Sequence, residues 1–125
     1  MLLRRTRCYV LKFTSSAVAD IKLIIPKHLR GPLQKELLEK LAADPVGCSH
    51  KLRGDLEGYR SFTWQKYRVV YRVFDDLLAV AVVGVGLRSP QSAENLYRKL
   101  EPLARTGELA QGVLFSIRGF TKGAQ

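Results

Sequence analysis

Residues 59–87 read YRSFTWQKYRVVYRVFDDLLAVAVVGVGL, and this stretch decides the fold. It contains three runs of strand-forming residues: 59–64, 67–74 and 77–87. Only Gln65-Lys66 and Asp75-Asp76 separate the runs, and connections this short predict an antiparallel meander. The third run is the least polar part of the chain, so we expect it to be a central strand that is covered on both faces.

The residues before this stretch predict a strand and two helices. Cys8–Phe13 is short and apolar, and the N-cap residues Thr14-Ser15-Ser16 follow it, which indicates a strand that leads into a helix. Pro26 is expected to end or bend this first helix. Gly31-Pro32 is expected to start a second helix, whose leucines form one apolar stripe up to Ala43. The pair predicts a helical hairpin that covers one side of the sheet.

A connection and a third helix complete the predicted fold. Residues 44–57 are polar and carry several turn formers, so we expect them to connect the hairpin to the sheet. Ser89-Pro90 is a helix-start signature, and the leucines after it predict an amphipathic helix. The predicted class is α+β: a small antiparallel sheet of about four strands, packed by an N-terminal helical hairpin and followed by a C-terminal helix.

The length of 125 residues favours a single domain, which we assign to residues 1–105. Residues 106–125 are predicted to be a C-terminal extension. Five apolar side chains between Val113 and Phe120 indicate either an added edge strand or a segment docked on the helices or on a second protomer. The four glycines of this segment leave a frayed tail as the third alternative.

The charge balance of the chain indicates a polyanionic partner. It has 21 Lys and Arg against 11 Asp and Glu, a net charge of +10, and such an excess is most often found in proteins that bind nucleic acid. Cys8 and Cys48 lack the spacing of a zinc site or a disulfide framework, which is typical of reduced thiols. Because no apolar run is long enough to span a membrane and no signal peptide is recognisable, we expect a cytoplasmic protein without a membrane partner.

Motifs for cofactors and metals are missing from the sequence. Gly84-Val-Gly86 does not continue into GxGxxG, and GxxxxGK[ST] is absent. His28 and His50 are too few for a metal site and are interpreted as surface or loop histidines. We therefore expect no metal and no cofactor.

Cations and aromatic residues are interleaved through the predicted sheet. The cations are Lys51, Arg53, Arg60, Lys66, Arg68, Arg72 and Arg88, and the aromatic residues include Tyr59, Phe62, Trp64, Tyr67, Tyr71 and Tyr97. Since cations bind phosphates and aromatic rings stack on unpaired bases, this mixture favours single-stranded RNA. Alternation places Arg68 and Arg72 on one face. A two-residue or a three-residue turn at Gln65 remains open, and only the longer turn brings Arg60, Phe62 and Trp64 to the same face.

Several short motifs together resemble the RelE/ParE superfamily of bacterial toxins. They are, in order, His50-Lys-Leu-Arg-Gly54, Gly58-Tyr-Arg60, Tyr67-Arg-Val-Val-Tyr-Arg-Val73, a two-acid turn, Val85-Gly-Leu-Arg88 and a tyrosine in the next helix. The match covers roughly residues 8–100. The resemblance implies an antiparallel sheet packed by a helical hairpin, a cognate antitoxin and, in the RelE branch, cleavage of mRNA in the ribosomal A site.

The resemblance also implies roles for individual residues. Arg68 matches a phosphate-binding arginine, and Arg88 matches the arginine that stabilises transition-state charge or protonates the leaving oxygen. Arg60 and Tyr97 match the other members of this catalytic set. Phe62 stands where RelE has the lysine usually assigned as general base. The RNA-binding surface is predicted to comprise Lys51, Arg53, Lys66, Arg72, Phe62 and Trp64.

Arg68 and Arg88 are predicted to converge on one basic concavity. Strict alternation after a two-residue turn at Asp75-Asp76 would direct them to opposite faces, but a β-bulge at Gly84 or Gly86 would turn Arg88 toward Arg68.

Three functions follow from the sequence. The first is a toxin that cleaves mRNA on the ribosome without a metal and so inhibits translation. The second is a ParE-like inhibitor of DNA gyrase, and the third is a catalytically weakened protein that binds RNA or antitoxin. The expected partners are an acidic antitoxin, with which the toxin would form a hetero-oligomer, and ribosome-bound mRNA.

Overall fold

The computed structural model describes residues 9–105. Its helices and strands are β1 (Val10–Phe13), α1 (Ser15–Ile24), α2 (Lys27–Lys40), β2 (His50–Lys51), β3 (Tyr59–Trp64), β4 (Tyr67–Phe74), β5 (Ala79–Leu87) and α3 (Pro90–Arg105). The predicted α+β class, with its helical hairpin and C-terminal helix, is confirmed. Cys8 and the predicted extension 106–125 lie outside the described residues.

The sheet has five strands in the order β1-β5-β4-β3-β2. The meander of β3, β4 and β5 is antiparallel as predicted, and β1 joins its far side parallel to β5. The fifth strand is the two-residue β2, which lies inside the predicted connection 44–57 and pairs antiparallel with β3. Alternation is not visible over two residues, so the sequence alone did not indicate this edge strand.

Two predicted boundaries are wrong. The second helix starts at Lys27, directly after Pro26, and Pro32 lies within it. Because Pro32 removes only one main-chain donor, and Leu33 and Leu37 beside it are buried in the core, the helix continues through it. The last strand begins at Ala79 rather than at residue 77, since Asp75–Leu77 form a turn of 3-10 helix.

Each face of the sheet is covered by helices. The hairpin face carries Tyr67, Val69, Tyr71, Val80 and Val82, which pack with the buried Leu33 and Leu37 of α2. The opposite face, here called the α3 face, carries Tyr59, Val70, Ala81 and Val83, which pack with Leu96 and Leu100 of α3. The strand β5 is buried from Ala79 to Gly86, which confirms its predicted central position.

A two-residue turn joins β3 to β4. Trp64 pairs with Tyr67, and Gln65 between them takes a φ of 55°. The register sets Thr63 opposite Arg68 and Ser61 opposite Val70. Residues that pair directly point to the same face, so Ser61 and Thr63 share the α3 face with Arg68, and the other side chains of β3 point to the hairpin face.

A β-bulge changes the alternation of β5. Tyr71 pairs with Val82, but its neighbour Val70 pairs with Gly84, so Val83 is the extra residue. Both Val83 and Gly84 then lie on the α3 face, and Gly86 is opposite Arg68. Arg88 follows Gly86 by two residues, so alternation places it on the same side of the sheet as Arg68. The bulge that the glycines predicted is therefore present at Val83-Gly84.

The glycines of β5 also let α3 approach the sheet. A Cβ at Gly84 would lie 3.1 Å from a methyl carbon of Leu100, and one at Gly86 would lie 3.2 Å from Leu96. These distances are tighter than ordinary van der Waals contact, so larger residues would push the helix outward. The close packing keeps Tyr97 of α3 near the strands.

Candidate functional site

Arg68 is held at the place where three strands and α3 meet. Its Nη1 donates to the hydroxyl of Ser61 at 2.9 Å and to that of Tyr97 at 3.2 Å. Its Nη2 donates to the main-chain oxygen of Arg88 at 3.3 Å. We call Ser61, Arg68, Arg88 and Tyr97 the Arg68 cluster. These contacts fix the direction of the guanidinium group on the α3 face.

The charge of Arg68 has no carboxylate partner among residues 9–105. The side chain is half-buried, its Nε is buried without a partner, and the ring centroid of Tyr97 lies 5.9 Å from Cζ. An arginine has five N–H donors in a planar fork that matches the oxygens of a phosphate. The site is therefore an oriented cation whose charge an anionic ligand can neutralise.

Arg88, the fourth member of this cluster, follows the last residue of β5. Its main-chain N–H donates to the oxygen of Lys66 at 2.7 Å, and its Nη1 donates to the oxygen of Gln65 at 3.3 Å. Arg88 and Lys66 are both exposed, and they line an open concavity of about 540 Å³ with Leu87. Arg68 thus contacts the main chain of Arg88, while the side chain of Arg88 reaches toward the β3–β4 turn.

Arg60, Phe62 and Trp64 do not join the Arg68 cluster. The two-residue turn directs all three to the hairpin face. The ring of Phe62 is 5% exposed in the core, and Trp64 packs against Tyr67 with 6.2 Å between ring centroids. Of the two turn lengths that the sequence left open, the structure has the shorter one, so these three side chains lie on the face opposite Arg68.

Arg60 instead fastens the loop before β2. Its Nε donates to the Ser49 hydroxyl at 2.7 Å, and its Nη2 donates to the main-chain oxygens of Val46 and Ser49 at 3.0 and 3.2 Å. The hydroxyl of Tyr71 donates to the oxygen of Pro45 in the same loop. These bonds hold the loop that leads into β2, and they occupy the guanidinium of Arg60.

The other predicted RNA-binding cations lie at two places. Arg72 shares the α3 face with Arg68, but its Cζ lies 5.5 Å from the Tyr59 ring and 5.3 Å from the Phe74 ring. Burial raises the pKa of the Tyr59 hydroxyl, while the nearby charge of Arg72 acts in the opposite direction. Lys51 and Arg53 are exposed at the sheet edge.

Lys51 and Arg53 line a cavity at the sheet edge, which we call the β2 groove. It has a volume of about 720 Å³, and its lining comprises Ser49, His50, Lys51, Leu52, Arg53, Gly54, Glu57, Gly58 and Arg60. Cations outnumber the single carboxylate, so the groove favours anions.

A buried carboxylate holds the bulged strand in place. Asp20 of α1 is 6% exposed, and its Oδ2 accepts from the main-chain N–H of Val85 at 3.1 Å. Its Oδ1 accepts from Nζ of Lys99 in α3 at 3.0 Å. Pairing between β1 and β5 ends at Phe13 and Val82. Beyond that point, the carboxylate of Asp20 supplies the hydrogen-bond acceptor that a neighbouring strand would otherwise provide. The sequence patterns did not indicate these contacts of Asp20 or those of Ser61, because the partners lie far away in the chain.

The described residues contain no group of three or more side chains placed to hold a metal ion. Within the same part of the chain, no helix combines the length and apolar character needed to cross a membrane.

The fold is similar to that of known bacterial toxins. The isolated RelE toxin of E. coli is 30% identical, covers 74% of this chain and 99% of its own length, and superposes with a TM-score of 0.52. The toxin–antitoxin complex RelBE of E. coli matches at 29% identity, covering 65% of this chain and 98% of that chain, with a TM-score of 0.53.

A RelBE toxin–antitoxin complex from Mycobacterium tuberculosis matches at 25% identity with a TM-score of 0.62, over 67% of this chain and 95% of its own. A search of curated protein sequences gave no match. The family model of the ParE toxin of the type II toxin–antitoxin system parDE matches residues 11–91. The chain therefore belongs to the ParE toxin family of type II toxin–antitoxin systems, within the wider RelE/ParE superfamily.

Proposed function

We propose that this toxin cleaves mRNA on the ribosome and thereby inhibits translation. The observation that carries the proposal is the Arg68 cluster, in which a half-buried arginine without a carboxylate partner is fixed by Ser61 and Tyr97. The likeness to RelE at 30% identity supports the same reading. A cation held in this way is suited to a phosphate group whose charge increases during the reaction.

The cleavage is an attack of a ribose 2′-hydroxyl on the neighbouring phosphate. The reaction needs a proton acceptor, cations around the phosphorane-like transition state and a proton for the departing 5′ oxygen. Arg68 binds the phosphate, and Tyr97 orients Arg68 through its hydroxyl. Arg88 and Lys66 add positive charge at the edge of the site, where both side chains are exposed.

The RNA strand approaches along the α3 face and the β2 edge of the sheet. Lys51 and Arg53 in the β2 groove are exposed, so they contact backbone phosphates away from the reacting bond. The guanidinium of Arg72 lies over the rings of Tyr59 and Phe74, and its positive charge adds to the potential of the α3 face.

An acidic antitoxin is the proposed partner of the toxin when the toxin is not bound to mRNA. The chain has a net charge of +10, and the similar proteins from E. coli and Mycobacterium tuberculosis were solved as toxin–antitoxin complexes. A partner that places carboxylates against Arg68 and Arg88 would neutralise the site and form a hetero-oligomer with the toxin.

The test compares three proteins in a cell-free translation system, with primer extension to locate cleaved mRNA. Wild-type toxin should create new 5′ ends within ribosome-bound codons. Arg68→Ala should reduce the cleavage rate by about 10²–10³-fold, as the loss of one transition-state donor does in other enzymes. Arg98→Ala is the matched control, because Arg98 is exposed on α3 and pairs only with Glu94. Intact mRNA with wild-type toxin would contradict the proposal.

Inhibition of DNA gyrase is the second candidate function. Two observations favour it: the matching family model is that of ParE, and Thr63 rather than a lysine stands opposite Arg68. Purified toxin would then inhibit supercoiling by gyrase and leave mRNA intact. A toxin that binds RNA or antitoxin but inhibits neither process would be a catalytically weakened member.

A further inference from the structure

The Arg68 cluster has no group that accepts a proton near neutral pH. The side chains that contact Arg68 or pair directly opposite it are those of Ser61, Thr63 and Tyr97, and their polar groups are hydroxyls. Hydroxyl groups are weak bases, and arginine stays protonated in proteins. If the toxin cleaves RNA as proposed, the acceptor must come from another element.

The edge strand β2 brings His50 to this face. His50 pairs directly with Ser61 in the antiparallel ladder, so the two side chains point to the same side of the sheet with Cβ atoms about 5 Å apart. The position of Leu52 supports this orientation, because Leu52 lies two residues farther along and packs in the core of the α3 face. The hydroxyl of Ser61 accepts the hydrogen bond from Arg68, so His50 is the cross-strand neighbour of a residue that contacts Arg68.

We propose that His50 is the catalytic proton acceptor of the RNA cleavage, a role that rests on the proposed function. Histidine is the side chain that ordinarily exchanges protons between pH 5 and 8. His50 is exposed, and it lines the β2 groove through which the RNA is proposed to approach. The acceptor and the phosphate-binding arginine then lie on either side of Ser61.

The reaction balances with these groups. A bond forms between the 2′ oxygen and phosphorus, the bond from phosphorus to the 5′ oxygen breaks, and the 2′-hydroxyl proton moves to the imidazole of His50. Water protonates the departing 5′ oxygen, and the hydroxide that remains takes the proton from the imidazolium. The products are a 2′,3′-cyclic phosphate and a 5′-hydroxyl end.

Charged groups surround His50 on several sides. Lys51, Arg53, Glu57 and Arg60 line the same groove, and Arg68 lies beyond Ser61. The pH dependence of cleavage therefore reports on His50 within this group of charges.

The experiment measures ribosome-dependent cleavage between pH 5.5 and 8.5 for wild-type toxin, His50→Ala and His50→Gln. The wild-type rate should rise with pH to a plateau as the acceptor loses its proton. Both variants should be slower by about 10²–10⁴-fold, the usual contribution of a general base, and should lose that pH dependence. Added imidazole should restore part of the rate of His50→Ala. His28→Ala is the matched control, because His28 is an exposed histidine on α2.

The outcomes separate this assignment from the proposed function. If His50→Ala and His50→Gln keep the wild-type rate and pH profile while Arg68→Ala is inactive, His50 is not the acceptor and the cleavage proposal stands. Wild-type toxin that leaves mRNA intact overturns the proposed function and the assignment together. Unchanged melting temperatures and unchanged RNA binding of the two variants would show that a lost rate belongs to the chemical step.

Discussion

Tyr71 shows how one buried hydroxyl stabilises the sheet edge. Its side chain is buried on the hairpin face, and its hydroxyl donates to the oxygen of Pro45. Burial raises the pKa of the Tyr71 hydroxyl well above its ordinary value, and burial also raises that of Tyr59. The folded protein therefore keeps both phenol protons to a higher pH than the unfolded chain does.

This difference predicts a loss of stability at high pH. Above about pH 10 the unfolded chain releases the two phenol protons first, so the free energy of unfolding should decrease as the pH rises. Each pKa unit between the two states corresponds to about 1.4 kcal/mol. Urea unfolding at several pH values measures the slope, and Tyr71→Phe should make it shallower above pH 10. Equal slopes for Tyr71→Phe and wild type would contradict the prediction.

A substitution of Arg68 by lysine separates the effect of its positive charge from the effect of its hydrogen-bond geometry. Lysine keeps the positive charge but lacks the planar fork that contacts Ser61, Tyr97 and the oxygen of Arg88. Arg68→Lys should therefore cleave mRNA at a rate closer to that of Arg68→Ala than to wild type. The same primer-extension assay measures this, with Arg98→Lys on the exposed side of α3 as the matched change. A fully active Arg68→Lys would show that charge alone suffices.

At the scale of elements, the bulge in β5 decides which side chains meet. Val83 is the inserted residue, and it reverses the alternation between the first and second halves of the strand. Asp20 secures the strand just past this point by accepting from Val85, and it joins α1 to α3 through Lys99. The bulge, its carboxylate and α3 thus form one unit that places Arg88 beside Arg68.

Removing the carboxylate should destabilise this unit. Asp20→Ala leaves the main-chain donor of Val85 unpaired in a buried position, which costs about 1–3 kcal/mol of unfolding free energy. Asp20→Asn keeps an oxygen acceptor for Val85 but loses the charge that attracts Lys99, so its loss should be smaller. Thermal or urea unfolding measures both variants. Arg98→Ala, which removes an exposed pair with Glu94, should change stability by less than about 0.5 kcal/mol. A stability loss in Asp20→Ala no larger than in this control would contradict the role of Asp20.

The elements differ in how far the sequence predicts them. The bounds of β3 and β4 follow from alternation and flanking turn residues, and the structure has them where they were predicted. Leu77 and Leu78 are apolar and extend the predicted strand, but local turn geometry gives Leu78 a φ of 49° and delays β5 to Ala79. The two residues of β2 are too few to show the alternation of a strand. The position of His50 on the α3 face therefore depends on its pairing with β3, which the local sequence does not reveal.

The candidate site is predictable only in part, for the same physical reason. Arg68, Arg88 and Tyr97 lie on elements that the pattern identifies, and the glycines of β5 indicated the bulge. The placement of Arg60 and Phe62 depended on one residue of turn length, which composition does not determine. Long-range contacts such as that between Asp20 and Val85 leave no local pattern in the chain.

At the scale of the whole molecule, the net charge of +10 governs encounters with an acidic partner. Arg88, Lys66, Lys51 and Arg53 are exposed, and their positive potential should steer an acidic antitoxin toward the β2 edge and the end of β5. The association rate of toxin and antitoxin should therefore fall steeply as salt is raised from about 50 to 500 mM, because the Debye length shrinks below about 10 Å. Stopped-flow mixing measures this rate. A Lys51→Gln, Arg53→Gln variant should show a weaker salt dependence, whereas a wild-type rate that is insensitive to salt would exclude electrostatic steering.

Because the turn at Gln65-Lys66 has only two residues, a change of one residue in its length would change the face to which each side chain of β3 points. One inserted residue between Trp64 and Tyr67 would exchange inside and outside along the strand, turning Ser61 and Thr63 into the core and Phe62 and Trp64 toward Arg68. An insertion or deletion there would replace the chemistry opposite Arg68 without any substitution. In homologues with a different turn length, the residues of β3 that correspond in function are therefore those that pair with the same positions of β4. A sequence alignment of β3 that ignored the turn length would match core residues of one toxin with site residues of another.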